Sequence, residues 1–382
     1  MSDAESADDA IAGGVQFHGS NEDEGQQSKE KFLNYLRELG LEQYVMATVC
    51  HGDVSPNVRF ELWEEFADEF APQGDTTQLC QKLNLDTVNQ PRDLEREIVL
   101  AMLLNPATFQ FPSDEELAAA VRVRMNIVAA ARKTLLEFRT HEAERPVEYW
   151  VYDEDRGIIL LPGRPLIDAL QAATQPGDSG KRYTFSCRRA AEYIVLLGVA
   201  QEAKSRHPEL FEQLHRQAEA SALKGREFER VFLRENGSIA APLPLKFFVP
   251  GDRTWFRNPD KDSSEATGYE GSWTFYLGNG LFADFWKKDG SFTLTTKCLS
   301  IYFWRKSTYR DDQGELQIDE EITDALLAKA LADPIETDRI LDEMLRHQAP
   351  LGTFGGGCVE ATREYPRQIC RGTADLVLPD VG

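Results

Sequence analysis

Cys187 is the residue of this chain whose type and position best suit nucleophilic chemistry. It follows Lys181-Arg-Tyr-Thr-Phe-Ser and opens an apolar run, Ala190, Ala191, Ile194, Val195, Leu197 and Val199, whose near-continuity predicts a helix buried inside a domain. Thr184 and Ser186 are residue types that cap helix N-termini, so Cys187 falls at the first helical position. A thiol there meets unpaired backbone N–H groups at the positive end of the helix dipole, with Lys181, Arg182, Arg188 and Arg189 close by in sequence. These charges favour a thiolate. They predict a depressed pKa for Cys187 and faster reaction with iodoacetamide than at the other cysteines. The same spacing also suits a small buried cysteine that merely closes the helix against a neighbour.

The elements around this thiol follow from periodicity. Val147-Glu-Tyr-Trp-Val-Tyr152, a turn at Asp155-Arg-Gly157 and Ile158-Ile-Leu-Leu161 predict a β-hairpin. Residues 165–173 predict a short helix leading toward Cys187. Upstream, Ser113 with Glu116 three residues later forms a capping-box signature, opening a long helix through Leu117, Val121, Val128 and Leu135. Helical spacing also appears at Phe32, Tyr35, Leu36 and Leu39, at Phe60, Trp63, Phe66 and Phe70, and at Leu94, Ile98 and Met102. Downstream, residues 245–249, 254–256, 273–277, 292–296 and 299–304 predict short strands separated by Gly, Pro, Asn and Asp. Helices packed with such a sheet imply an α+β fold. A further helical stretch carries Ile322, Leu326, Ala330, Ile340 and Met344, and the glycines at 355–357 predict a loop.

Composition narrows the functional classes. A chain of 382 residues suggests two domains, or one with a substantial extension, at ~150 residues per domain. The formal net charge of −22 argues against a broad phosphate-binding surface, and hence against nucleic acid as a partner. No apolar run approaches a membrane span, and the first residues show neither the basic nor the apolar region of a secretory signal, so a cytoplasmic protein is expected. Six scattered cysteines, with no CxxC pair, indicate reduced thiols without a zinc site or disulfide framework. Residues 1–30 hold eight acidic residues against one lysine, a composition that predicts a disordered tail. The expected organisation is this tail, a helical unit over 31–108, a core over 109–308 and a helical extension over 309–382.

Five collinear blocks carry a more specific signal: Arg122-Val-Arg-Met-Asn-Ile-Val-Ala-Ala-Ala-Arg132, Ile159-Leu-Leu-Pro-Gly with Ile167-Asp-Ala, Tyr183-Thr-Phe-Ser-Cys187, Pro250-Gly-Asp-Arg-Thr-Trp-Phe-Arg-Asn-Pro-Asp260 and Gly271-Ser-Trp-Thr-Phe-Tyr-Leu-Gly278. Over roughly residues 110 to 305 the chain resembles the bacterial protein-glutamine gamma-glutamyltransferases of spore-forming bacilli. The resemblance implies a papain-like core of the NlpC/P60 type, in which a helix bearing a cysteine packs on a small antiparallel sheet. It also implies that Cys187 attacks a glutamine carboxamide and that a lysine amine resolves the thioester. No metal or organic cofactor is expected.

The chain departs from that family around the thiol. Ser186 stands where an acidic residue precedes the cysteine, Ser272 replaces the glutamate of a Gly-Glu-Asn strand start, and Ala283-Asp284 occupies an Ala-His block after a one-residue gap. A carboxylate raises a neighbouring thiol's pKa, so Asp284 is no electrostatic substitute for a histidine. Glu270, two residues before Ser272, shares its face if the strand begins that early and is the expected substitute acid–base group. Cys187, Glu270 and Asp284 are therefore the candidate catalytic residues, and Ser186 and Ser272 the candidate substrate-binding ones. Ser272 and Asp284 are expected on neighbouring strands facing the Cys187 helix, and His347 reaches the site only if the C-terminal extension folds back. The function implied is thiol acyl transfer to protein glutamine, with a protein substrate bearing glutamine and lysine as partner. The alternatives are a degraded relative that binds a protein, and a papain-like deamidase or peptidase using water.

Overall fold

The computed structural model describes residues 13–18, 22–51, 56–138, 143–177, 180–288, 290–350 and 352–380. Two long helices, Asp114–Lys133 and Cys187–Arg206, cross at its centre. The crossing is close because residue 198 is glycine: a Cβ there would sit 2.6 Å from Cγ1 of Ile127 and 3.2 Å from its backbone nitrogen. Gly198→Ala therefore overpacks a rigid contact, and a destabilisation of about 1–3 kcal/mol is expected in denaturant melts despite alanine's better helix propensity. A stabilised variant would show that the two helices can separate freely.

A six-stranded sheet flanks these helices, in the order Ser291–Thr293, Leu281–Ala283, Gly271–Gly278, Arg253–Arg257, Arg363–Pro366, Leu233–Asn236. All its pairings are antiparallel. The architecture is thus α+β, with the cysteine-bearing helix packed on the Gly271–Gly278 strand. The hairpin Trp150–Asp153 with Gly157–Leu160 and the helix Leu166–Thr174 form where expected.

Several expectations change. Residues 299–304 belong to a helix, Leu294–Ser307, not a strand. Thr293 and Thr296 cap it reciprocally. The apolar run Leu299, Ile301, Tyr302, Phe303 and Trp304, rich in aromatic residues, is buried beneath the helices Glu320–Leu331 and Pro334–Met344, and tertiary packing on more than one face overrides β-propensity. Residues 245–249 form no strand either. The backbone of Phe248 is satisfied by one side chain, Thr76 Oγ1, which donates to the Phe248 carbonyl at 2.7 Å and accepts from its N–H at 2.8 Å.

The described part of the first thirty residues is ordered. Val15–His18 pairs with Pro56–Leu62 and Phe109–Phe111, and the helix Glu22–Leu39 follows. Val15 and Phe17 are buried, and so few apolar residues suffice because the strand inserts between two others. Residues 1–12, also expected as a disordered tail, lie outside the described residues. The N-terminal unit is accordingly mixed: Phe60 lies in a strand, and the helix begins only at Glu64.

The C-terminal segment adds a strand to the central sheet as well as helices. Its anchor is Glu116, whose carboxylate accepts N–H bonds from Ile369 at 2.8 Å and Cys370 at 3.1 Å, and a hydroxyl bond from Thr373 at 2.7 Å. Only half of the capping box forms in consequence: Ser113 accepts from the Glu116 N–H at 3.2 Å, while the glutamate side chain is engaged elsewhere. Among the described residues, no helix is long and apolar enough to cross a membrane.

Candidate functional site

Ser186 is the N-cap of the central helix, its hydroxyl accepting the Arg189 N–H at 3.4 Å, and Cys187 is the first helical residue. The approach is fixed from behind. Thr184–Phe185 pairs in parallel with Glu137–Phe138, and Arg145 donates to the Thr184 carbonyl at 2.9 Å. Cys187 thereby enters a cavity of about 190 Å³ between helix head and sheet. Its polar lining includes Ser272, Asp284 and Lys297, and aromatic rings of Trp273, Trp286 and Trp304 form much of its wall.

The blocks shared with the family resemblance build this geometry more than they line it. Arg124 and Asp252 form a fully buried ion pair, with Nη1 donating to Oδ1 at 2.7 Å. Gly251, at φ +89°, lets the chain pass over Arg124, because a Cβ would fall 2.9 Å from the arginine's own. Farther along, Asn258 donates from Nδ2 to the Tyr269 carbonyl and from its backbone to the Glu270 carbonyl, both at 3.0 Å. These bonds hold the turn that delivers Gly271, Ser272 and Trp273. Arg253 then lies 3.7 Å from the Trp273 ring centroid and donates to Glu364 at 2.7 Å, which braces the strand opposite the thiol.

Ser272, in the Gly271–Gly278 strand, and Asp284, just beyond the neighbouring Leu281–Ala283 strand, both line the cavity with Cys187. Asp284 accepts the Trp286 N–H at 3.0 Å, which orients its carboxylate. Ser186 is occupied as the helix cap. Glu270 precedes the strand, is exposed, and lies outside the cavity lining. The C-terminal segment does fold back, yet His347 is engaged at 3.0 Å with the Leu243 carbonyl and does not line the cavity.

The electrostatics differ from the sequence expectation. Burial pushes the Cys187 thiol above the usual cysteine range, against the opposing pull of the Trp273 N–H, the Lys297 ammonium, the Arg188 N–H and Arg253. The neighbouring cations in sequence are diverted: Arg188 binds Glu229 at 2.7 Å, Arg189 binds Glu192, and Lys181 approaches Glu144 at 3.7 Å. A helix N-terminus lowers a thiol's pKa only to the extent that desolvation does not outweigh it.

Lys297 is the site residue that sequence reading missed. It rises from the helix Leu294–Ser307, with Nζ 4.5 Å from the Phe292 ring centroid and 5.8 Å from that of Trp304. Burial lowers its pKa, while Asp284 and then Cys187 pull it back up. The strands expected over 292–296 and 299–304 concealed it, since Lys297 falls in the gap between them, where a lysine reads as a solvated turn charge.

Among the described cysteines, Cys80, Cys298 and Cys358 are buried, whereas Cys187 and Cys370 are partly exposed. All five are free thiols, and the Cys50 side chain lies outside the described residues. Beside Glu116, burial pushes the Cys370 thiol up to about 12. Iodoacetamide is therefore expected to label Cys187 first. Because thiolate is the reactive form and the pKa is raised, the rate should climb as pH increases through and above the ordinary thiol range. Mass-spectrometric labelling across pH checks both the order and the slope.

A family model described as protein-glutamine gamma-glutamyltransferase matches residues 74–323, well over half of the chain. A solved structure, a transglutaminase from Geobacillus stearothermophilus without its C-terminal extension, aligns at 21% identity and a TM-score of 0.40, over 57% of this chain and 98% of its own. No curated protein matches.

Proposed function

The chain belongs to the protein-glutamine gamma-glutamyltransferase family, and from that premise we propose that it transfers the acyl group of a protein glutamine through a thioester on Cys187 to a primary amine. The observation that carries this reading is a partly exposed thiol at a helix head, lining one cavity with a lysine and an aspartate. In the reaction, sulfur attacks the carboxamide carbon, the C–N bond breaks, and ammonia leaves with the thiol's proton. An amine then attacks the thioester, the C–S bond breaks, and an isopeptide bond and free thiol result. The backbone N–H of Cys187 has no intrahelical partner at the first position, so it can donate to the developing oxyanion.

The cavity lining favours an amine over water as acceptor. Glu320, Asp324 and Asp284 line it against Lys287 and Lys297, an acidic excess that raises the local concentration of a cationic lysine side chain. The Trp286 and Trp304 rings suit its aliphatic stem and charge.

The test is incubation with a glutamine-bearing protein and a labelled primary amine, with ammonia followed in parallel. Covalent label and stoichiometric ammonia are expected. Ammonia without label would replace the transferase with a deamidase, and neither product would leave a protein-binding role for the same cleft.

A further inference from the structure

The cavity holding Cys187 lacks any described histidine, yet thiol acyl transfer must move a proton off sulfur, onto departing ammonia, and off the incoming amine. The groups that face the cavity are few enough to assign this work. Ser272 is a neutral hydroxyl, a poor proton store near neutral pH. Asp284 is fixed by the Trp286 N–H, and a carboxylate beside sulfur opposes its ionisation. Lys297 remains. Its Nζ sits 4.5 Å from the Phe292 ring centroid and 5.8 Å from that of Trp304, among the aromatic rings of the cavity that Cys187 also lines. The charged and titratable groups bearing on it come from several elements: Asp284 after the strand, Cys187 at the helix head, Cys358 in the C-terminal segment and Glu320 on the covering helix.

We propose that Lys297 is the acid–base partner of Cys187 and that Asp284 steadies its ammonium form, an assignment that rests on the acyl-transfer reading of this cavity. The neutral amine takes the thiol proton as sulfur attacks the glutamine carbon. The resulting ammonium gives that proton to the amide nitrogen, the C–N bond breaks, and ammonia leaves. The amine then takes a proton from the attacking primary amine and returns it to sulfur when the C–S bond breaks. No net proton is gained or lost by the protein across the cycle.

The energetic basis is a matching of two groups. Burial moves the thiol up and the ammonium down, so the neutral pair and the ion pair approach one another in free energy. Both shifts work in the direction that eases proton exchange between the two groups, the direction that general acid–base catalysis exploits.

Two substitutions separate proton transfer from simple charge. Lys297→Met removes both; Lys297→Arg keeps a cation that does not deprotonate in proteins. Iodoacetamide alkylation of Cys187 is measured across pH for all three proteins, beside amine incorporation, with melting midpoints confirming that each is folded. In Lys297→Met the alkylation profile should move to higher pH by about one unit or more, roughly tenfold slower near neutrality. In Lys297→Arg alkylation should stay close to wild type, whereas incorporation should fall in both variants by about 10²- to 10⁴-fold. Wild-type incorporation by Lys297→Arg, or a wild-type alkylation profile in Lys297→Met, overturns the assignment. A wild-type protein with the Lys297-dependent alkylation profile but no incorporation overturns the acyl-transfer reading and supports the thiol–amine pair.

Discussion

Cys187→Ala is expected to eliminate amine incorporation and ammonia release together, a loss on the order of 10⁵- to 10⁶-fold if this nucleophile behaves like others removed from acyl-transfer sites. Both products vanish because both descend from one thioester. The fold should survive unchanged: the substitution removes one sulfur at the first turn of a helix whose cap is Ser186 and whose packing is carried by Ala190, Ala191, Ile194 and Val195. An unaltered melting midpoint with no product isolates the chemistry. Product formation that persists in Cys187→Ala would remove the thioester mechanism altogether.

Asp252→Ala should have the largest effect on stability, about 3–5 kcal/mol, because it strands a buried guanidinium. Arg124 and Asp252 are 1% and 0% exposed, so water cannot replace the lost partner. The damage should also reach the site: Asp252 accepts the Val249 N–H at 2.7 Å and precedes Arg253, the residue that braces Trp273. Denaturant melts of Asp252→Ala, Arg124→Met and the double variant form a cycle. The double variant should be less destabilised than the two singles summed, since removing both charges leaves neither unpaired. Additive losses would mean that the two groups do not act as a pair, and that packing around them sets the cost.

The thiol was legible because its signals are local. A serine cap, a first-turn cysteine and a 3.6-residue apolar period occupy one continuous stretch, and helix termini obey rules of short range. The paired expectation for Ser272 and Asp284 was likewise accessible, from the order of motif blocks, and both residues line the cavity. Glu270 was favoured on strand alternation, but the strand begins one residue after it at Gly271, and alternation carries no information beyond a strand's end. The Ser113–Glu116 signature was half fulfilled, as Glu116 binds a segment near residue 370 that no local pattern connects to it.

By itself, then, the sequence determined the helix that presents Cys187, the hairpin beside it, the α+β character and the family to which the chain belongs, all of which rest on periodicity, caps and motif order. Tertiary structure alone decided that 294–307 is a helix, that Lys297 lines the cavity of the thiol, that Val15–His18 and Arg363–Pro366 enter sheets, and that the thiol's pKa is raised rather than lowered. The physical reason is common to these outcomes. Desolvation, strand pairing and burial on more than one face depend on which distant segments arrive at a point in space, and a window of neighbouring residues contains none of that.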